Sequence, residues 1–238
     1  MINILLNIDE NYISQSKVVM RSILANTSSD VTFYIIGVDK RHFEGFNVVC
    51  LDVPDISVIK ARTDYKHITT SACFRLFAPF ILKDVDKVIY LDCDLIVLDD
   101  IAKLWEYEPK YVAGVQDPMY RYQARKNRLK HLYINSGVMV MNLKNLRKID
   151  WLERIKKTQN GYNLSLLDQD IINIALGKDI GHLPEKWNVY AKIYPETTYA
   201  MIKARENPSI IHWCGNEKPW NSDVWKADEW RKYDNREF

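Results

Sequence analysis

The most informative stretch of this sequence is a short apolar run, residues 88–91, followed by the aspartates Asp92 and Asp94. The run is rich in β-branched and aromatic side chains, which is typical of a strand buried on both faces of a parallel sheet. In an extended chain alternate side chains project from one side, so Asp92 and Asp94 would point together and Cys93 away from them. Two neighbouring carboxylates repel each other unless a cation lies between them, and carboxylate oxygens suit Mg²⁺ or Mn²⁺. We therefore expect a divalent metal at this pair.

The spacing Asp-x-Asp alone is weak evidence, because it occurs at Asp84/Asp86, Asp92/Asp94 and Asp168/Asp170. The first pair lies between a helix-like segment and the strand, which favours a solvated turn. The middle pair differs because a buried strand delivers it to the carboxyl end of a sheet, where ligands bind in open α/β folds. A charged strand end without a metal remains the alternative for that pair.

Composition restricts the class of protein more than its function. The 238 residues, 47% of them hydrophobic, suit one large α/β domain or two small ones. A net charge of +2 favours neither a nucleic-acid binder nor an acidic tail. The four cysteines form no C-x-x-C pair, which argues against structural zinc and a disulfide framework. With no signal peptide at the N-terminus and no membrane-spanning apolar run, we expect a soluble, cytoplasmic protein.

Strand-like and helix-like segments alternate through the first hundred residues, which predicts a mostly parallel sheet with helices on both faces. We assign strands to residues 2–8, 31–38, 48–53, 88–91 and 111–115, and helical spacing to residues 18–24, 71–82, 101–105, 143–157 and 168–176. Asn135-Ser136-Gly137 is interpreted as a turn before a buried strand, and a short strand from Ile210 enters a loop containing glycine and proline. No internal repeat or linker is evident.

A basic run occupies residues 121–131. The simpler interpretation is a solvated helix face, which we favour for most of these charges. The functional interpretation is a lid or groove wall for an anionic partner.

The usual nucleotide motifs are missing. The sequence has neither G-x-x-x-x-G-K-[ST] nor a G-x-G-x-x-G after its first strand, so an NTPase or a dinucleotide dehydrogenase is not supported. A metal at Asp92 and Asp94 would neutralise a diphosphate instead. His212 and Lys218, on either side of Gly215, offer a nitrogen ligand and a fixed positive charge, although a single histidine beside an apolar strand is more often structural.

One family carries these motifs in the same order. They are Asp9-Glu-Asn-Tyr12, Arg75, Leu-Asp-Cys-Asp94, Asn135-Ser-Gly137, Asp168-Gln-Asp170 and His212-Trp-Cys-Gly-x-x-Lys-Pro-Trp220. The ordered set resembles the retaining glycosyltransferases of family 8, which include bacterial lipopolysaccharide galactosyl- and glucosyltransferases and glycogenin. The resemblance extends from Asp9 to Trp220.

The resemblance implies a single GT-A domain over residues 1–238, with a nucleotide-binding half (1–100) and an acceptor-side half (101–238). It implies that Asp92, Asp94 and His212 hold Mn²⁺, with Mg²⁺ as the alternative ion. The residues implied to bind uridine are Asp9, Asn11 and Tyr12, and those implied to contact the diphosphate are Gly215 and Lys218. Those implied to face the transferred sugar are Arg75, Asn135, Asp168 and Gln169. Asp92, Cys93, Ser136 and His212 are also expected to contact the UDP-sugar.

The implied reaction moves a hexose from UDP-galactose or UDP-glucose to a glycan, lipid-linked or glycoprotein acceptor. Catalytic roles fall to Gln169, Asp168, Arg75 and Lys218. Because the position beneath the sugar is Gln169, an amide and a poor nucleophile, we favour same-face attack over a covalent intermediate. Asp170 is the alternative nucleophile, although a structural role suits it better.

The sequence departs from better-known bacterial members because it ends soon after the tryptophan-rich loop, without their long basic and apolar tail. Either a C-terminal tail has been removed, or the enzyme works in solution or through a partner, which argues against a membrane-bound acceptor. Peripheral contact with the inner face of a membrane stays the alternative, since the run 121–131 lies where acceptor lids occur in the family. Two alternatives remain, a catalytically inactive UDP-sugar-binding module and a haloacid-dehalogenase-type phosphatase. The phosphatase is disfavoured because Ile96 stands where that family has Thr or Val. In addition, no later G-D-x-x-x-D supplies its remaining Mg²⁺ ligands.

Overall fold

The computed structural model describes residues 1–60, 70–162 and 164–234. Its strands are β1 (Ile2–Asn7), β2 (Val31–Ile36), β3 (Val48–Leu51), β4 (Lys87–Leu91), β5 (Leu95–Val97), β6 (Val112–Gln116), β7 (Ile134–Asn142), β8 (Gly181–His182), β9 (Val189–Tyr190) and β10 (Ile210–His212). Its α-helices are α1 (Ile13–Asn26), α2 (Ala78–Ile81), α3 (Ala102–Trp105), α4 (Tyr120–Lys126), α5 (Leu143–Arg147), α6 (Trp151–Gln159), α7 (Asp168–Leu176), α8 (Tyr199–Ala204) and α9 (Ala227–Asp234). Short 3₁₀ helices cover Glu10–Tyr12, Lys40–Phe43, Thr70–Phe77, Gly177–Asp179 and Glu185–Trp187.

The larger sheet has seven strands in the order β3-β2-β1-β4-β7-β6-β8. The pairs β1/β2, β1/β4, β2/β3 and β6/β8 are parallel, and β7 runs antiparallel to both of its neighbours. Successive side chains of β1 enter different cores, since Ile4 and Leu6 pack in one apolar cluster and Leu5 in the other. The predicted mostly parallel sheet covered on both faces is therefore confirmed.

A second sheet has three strands in the order β5-β10-β9, and a short connection joins it to the first sheet. Strand β4 of the large sheet ends at Leu91 and β5 of the small sheet begins at Leu95. The two aspartates therefore lie in the three residues that pass from one sheet to the other. The small sheet also carries His212 at the end of β10.

Most predicted elements are present within one or two residues of their expected bounds, but two helical predictions need correction. The segment 71–82 is a 3₁₀ helix, Thr70–Phe77, followed by the short α2. The single helix expected over 143–157 is two helices. Asp150 separates them because its side chain accepts a hydrogen bond from the Glu153 N–H and so begins α6 as an N-cap.

The turn expected at Asn135-Ser136-Gly137 is wrong. These residues lie inside β7, which begins at Ile134 and pairs with β4 and β6. The turn propensity of Asn and Gly is outweighed because this strand is central, with a neighbour on each side. The Asn135 side chain instead accepts from the Gly137 N–H within the strand, at 2.9 Å.

Among the described residues, no helix combines the length and the apolar character that crossing a membrane would require.

Candidate active site

A cleft of about 480 Å³ opens at the carboxyl ends of β1 and β4, next to β7 and β10. Its size suits a small-molecule ligand. Thirteen of the predicted site residues line it, namely Asp9, Tyr12, Arg75, Asp92, Cys93, Asp94, Asn135, Ser136, Asp168, Gln169, His212, Gly215 and Lys218. Asn11 does not line it, because that residue is exposed on the 3₁₀ helix after β1 and its N–H donates to Asp9.

Three ligand groups converge at the floor of the cleft. A ligand atom of Asp92, of Asp94 and of His212 all lie within 4.8 Å of one another. Nε2 of His212 is 3.0 Å from Asp94 Oδ1 and 3.8 Å from Asp92 Oδ2. Two carboxylates and an imidazole form a donor set that suits Mn²⁺ or a similar divalent cation.

The orientation of the His212 ring is fixed by a buried amide. Its Nδ1 lies 2.9 Å from Asn188 Oδ1, and the amide group of Asn188 donates through Nδ2 to Asn135 Oδ1 at 2.9 Å. Because Asn188 Oδ1 can only accept, Nδ1 carries the hydrogen and Nε2 is the nitrogen left for a cation. The residues therefore fit a metal of the predicted kind.

Each carboxylate of the pair also has its own cationic neighbour. Asp92 Oδ1 lies 2.9 Å from Nη2 of Arg75 and accepts from the Tyr90 hydroxyl at 2.8 Å. Asp94 pairs with Lys218 as well as with His212. Burial opposes the charge of Asp94, but these two neighbours outweigh it and hold the pKa of its carboxyl well below the usual range.

His212 responds to the same charges. Burial would lower the pKa of its imidazole, but Cys214 and Asp94 raise it well above the ordinary value. The raised pKa means that Nε2 also carries a proton when no metal is bound. A divalent cation at Nε2 must displace this Nε2 proton, so cation binding and proton release are coupled.

Arg75 connects the metal-binding end of the cleft to α7. Its Nε lies 3.2 Å from Asp168 Oδ2, its Nη1 donates to the Ser136 carbonyl at 2.7 Å, and its guanidinium stacks over the Tyr90 ring at 4.1 Å. Arg75 is 5% exposed, so these contacts replace water around its charge. Burial raises the pKa of Asp168 to about 6, despite the guanidinium beside it.

The amide of Gln169 is held on both sides. Its Oε1 accepts from Asn135 Nδ2 at 2.9 Å and from the Ser136 N–H at 3.1 Å, and its Nε2 donates to Asp117 Oδ2 at 3.0 Å. With its oxygen directed to β7 and its nitrogen to Asp117, the side chain has a single hydrogen-bonded orientation.

Asp170 has a structural environment. Its carboxylate accepts hydrogen bonds from the Tyr133 hydroxyl at 2.7 Å, the Leu166 N–H at 2.8 Å and Asn127 Nδ2 at 3.1 Å. It is fully buried and does not line the cleft.

The sequence interpretation missed three residues that complete this site. Asp117 follows β6 and accepts from Gln169, from the Met119 N–H at 2.8 Å and from the Tyr190 hydroxyl at 3.3 Å. Burial raises the pKa of Asp117. Tyr190 lies on β9 of the small sheet, and Asn188 lies between that strand and the 3₁₀ helix Glu185–Trp187. Only Asp117 carried a signal, since it is a carboxylate just after an apolar strand.

The comparison with protein-family models gives a match to the model described as glycosyl transferase family 8, over residues 3–224. The chain belongs to glycosyl transferase family 8. It shares 31% identity with general stress protein A of Bacillus subtilis, over 91% of this chain and 86% of that protein. With the glycosyltransferase GlyF of Streptococcus pneumoniae it shares 28% identity, over 92% of this chain and 57% of GlyF.

The fold of this family 8 member also matches solved structures. The crystal structure of the galactosyltransferase LgtC in complex with donor and acceptor sugar analogues superimposes with a TM-score of 0.82, at 22% identity, over 98% of this chain and 95% of that one. This likeness establishes the GT-A fold. Membership of family 8, shown by the family model over residues 3–224, makes this chain a glycosyltransferase, and the phosphatase alternative has no support.

Proposed function

We propose that this protein is a divalent-metal-dependent, retaining hexosyltransferase, built as one GT-A domain over residues 1–238, which moves galactose or glucose from a UDP-sugar to a glycan or glycoconjugate acceptor. The observation that carries the proposal is the convergence of Asp92, Asp94 and His212 at the floor of a cleft whose wall is the Arg75–Asp168 pair. Cation ligands and buried polar groups for sugar hydroxyls then share one cavity. The proposal places the protein in the cytoplasm.

Asp92, Asp94 and His212 would hold the cation, with Mn²⁺ preferred over Mg²⁺ because of the imidazole ligand. When bound, a divalent cation there would neutralise the negative charge of the UDP diphosphate. Lys218 lies on the same side of the cleft, where its ammonium contacts Asp94 and donates to the Trp213 carbonyl at 2.8 Å. Burial would lower the pKa of Lys218, but Asp94 raises it, so the ammonium stays charged and stabilises a leaving phosphate.

The nucleoside end of the donor is assigned to the carboxyl end of β1. Asp9 caps the 3₁₀ helix Glu10–Tyr12 and faces the cleft together with Tyr12, whose ring packs edge-on against Trp220 with centroids 5.9 Å apart. Gly215 has φ of +90°, a conformation that favours glycine and presents its backbone to the cleft. These features support binding of uridine at Asp9 and Tyr12, and of diphosphate at Gly215 and Lys218.

The sugar is assigned to the hydrogen-bonded wall formed by Arg75, Asn135, Ser136, Asp168 and Gln169. Each of these side chains is at most 9% exposed and each contacts another member of the set. A wall held in one arrangement selects among hydroxyl orientations because it does not adapt to a wrong one.

The proposed reaction breaks the bond between the anomeric carbon and the UDP phosphate oxygen, while the acceptor hydroxyl oxygen bonds to that carbon from the same face. The acceptor's proton passes to the departing phosphate oxygen. Charge develops on an oxocarbenium-like sugar and on UDP, and Lys218 stabilises the latter. The amide of Gln169 has no anionic form, and Asp170 lies outside the cleft, which supports same-face attack over a covalent intermediate.

The test is UDP release from a panel of sugar nucleotides, with Mn²⁺, with Mg²⁺ and with a chelator. We expect release from UDP-galactose or UDP-glucose that needs the cation and is abolished in Asp92→Ala and in Asp94→Ala. Both variants should keep their fold, because each also removes a repelling carboxylate. Full activity in either variant would contradict the metal assignment, and an absence of release from every donor would favour the inactive binding module.

A further inference from the structure

The charge of this chain is unevenly distributed. Residues 118–149 contain eight lysines and arginines and no aspartate or glutamate, although the whole chain has a net charge of only +2. Five of the eight lie within residues 121–131. Because Lys144 and Arg147 pair with Asp86, the cations within 121–131 form the electropositive segment next to the substrate cleft, and such a segment indicates an anionic partner.

Four of these five cations, Arg121, Arg125, Arg128 and Lys130, lie on one side of α4 and of the turn that follows it, whereas the Lys126 ammonium donates to the Ser165 hydroxyl outside that side. They border a shallow groove of about 660 Å³, here called the basic groove, which is defined by Arg121, Arg125, Arg128, Leu129, Lys130 and Leu132. On the opposite side of the helix Gln123 and Asn127, four residues apart, are at most 4% exposed. Helix α4 therefore buries its amides and presents its arginines to solvent.

Three of the four cations of the basic groove have no acidic partner among the residues that the structure describes. In the described part of the chain, no carboxylate pairs with the side chains of Arg125, Arg128 or Lys130, all of which are exposed. Arg121 differs from these three: its guanidinium contacts Tyr120, whose hydroxyl accepts from Nε at 3.0 Å, and the Glu196 carboxylate accepts from its backbone N–H at 2.9 Å. Mutual repulsion of like charges is unfavourable here, and an anionic partner would relieve it.

The chemistry of the lining favours a phospholipid surface over a soluble glycan. Among the described residues, the groove wall contains arginines, a lysine, a histidine, a tyrosine and the apolar side chains of Ala124, Leu129 and Leu132, with no carboxylate or side-chain amide. Carboxylates and side-chain amides are the groups that accept hydrogen bonds from sugar hydroxyls. Phosphate groups are bound by cations, and acyl chains by apolar side chains.

Exposed apolar side chains flank the groove as a membrane-facing surface requires. Leu132 is 44% exposed in the groove, and Tyr122, 52% exposed, lies on α4 and lines the active-site cleft. Aromatic and aliphatic groups beside basic ones are the pattern of segments that lie in the interface of a bilayer.

We propose that the basic groove docks this enzyme on an anionic phospholipid bilayer, with the active-site cleft opening at the membrane surface beside α4. The proposal rests on the proposed function in one respect, since it assigns the acceptor to that surface. Docking itself is independent of transfer, so the two can fail separately.

The test is co-sedimentation of the full chain with vesicles of phosphatidylcholine alone and of three parts phosphatidylcholine to one part phosphatidylglycerol, without a donor. We expect binding to the anionic vesicles only, and its loss in high salt because exposed charges are screened. The triple variant Arg125→Gln/Arg128→Gln/Lys130→Gln should lower the partition coefficient on the order of 100-fold, since each basic residue contributes a factor of about five.

The matched control is Lys40→Gln/Arg41→Gln/Lys83→Gln, which removes the same charge from exposed positions on other elements. It should bind vesicles like the wild type, and Leu132→Ser should bind more weakly. An equal loss of vesicle binding in both triple variants would mean that only the net charge of the protein matters, and it would overturn the proposal. So would displacement by inorganic phosphate at matched ionic strength, which would indicate a site for small anions only. UDP release from the donor in solution should be unchanged in the Arg125/Arg128/Lys130 variant.

Discussion

Gly137 lies directly against His212. A Cβ added to Gly137 would stand 2.3 Å from Cε1 of the His212 ring and 2.7 Å from Asp92 Oδ2. Both distances are far below van der Waals contact, so the absence of a side chain at this position of β7 allows an imidazole and a carboxylate to meet.

Gly137→Ala should therefore disrupt the cation site more than the fold. The added methyl group displaces the ring of His212, and misplaced ligand geometry typically costs 10- to 100-fold in metal affinity. Titration of Mn²⁺ into the variant measures this directly, without any donor. Gly161→Ala is the matched control because a Cβ there meets no atom within 4 Å. Wild-type Mn²⁺ affinity in Gly137→Ala would contradict the assigned ligand set.

Asp168→Asn should change how stability depends on pH. The pKa of Asp168 is raised from 3.8 to about 6 in the folded protein, so the folded state holds this proton more tightly than the unfolded chain does. Its contribution to stability is complete below about pH 4 and is lost as pH rises to about 6, a change of roughly 3 kcal/mol. Chemical denaturation at several pH values should show the wild type losing stability relative to the variant across this window. If the free energy of unfolding depended on pH in the same way in both proteins, the assignment of a buried Asp168 carboxyl with a raised pKa would be contradicted.

Gln169→Ala should slow transfer without abolishing it. The variant leaves Asn135 Nδ2 and the Ser136 N–H without their acceptor and removes one of the three donors to Asp117, which loosens the wall assigned to the sugar. A displacement of about 1 Å costs on the order of 100-fold in rate, so we expect a lower kcat with residual turnover. Intact-mass spectrometry should find no glycosylated protein. Complete loss of turnover with sugar attached to Asp170 would refute same-face attack.

Lys218→Ala should separate transfer from cation binding. Because the Lys218 ammonium competes for Asp94, its removal should leave Mn²⁺ affinity unchanged or stronger. Loss of a charge that stabilises departing UDP should still lower kcat on the order of 100-fold. Lys192→Ala is a suitable control, since its side chain is 62% exposed. Equal losses in UDP affinity and in transfer would mean that Lys218 only anchors the nucleotide.

The sequence predicted the parts of this protein that depend on local pattern. Apolar runs gave β1, β2 and β4, and the ordered motifs brought thirteen residues to one cleft. Asn188 escaped notice because nothing in its sequence neighbourhood indicates a ligand; its role follows from a tertiary contact with His212. Asn135-Ser136-Gly137 was misassigned for the opposite reason, since its local turn preference is overridden by pairing with strands far away in the chain.

The segment 92–94 passes from the seven-stranded sheet to the three-stranded one, and His212 stands on the latter. A cation bound by Asp92, Asp94 and His212 would therefore link the two sheets. Chelation should consequently speed amide hydrogen exchange in β5 and β10 while leaving β1 and β2 protected. Greater flexibility of the metal-free enzyme would then be confined to the small three-stranded sheet.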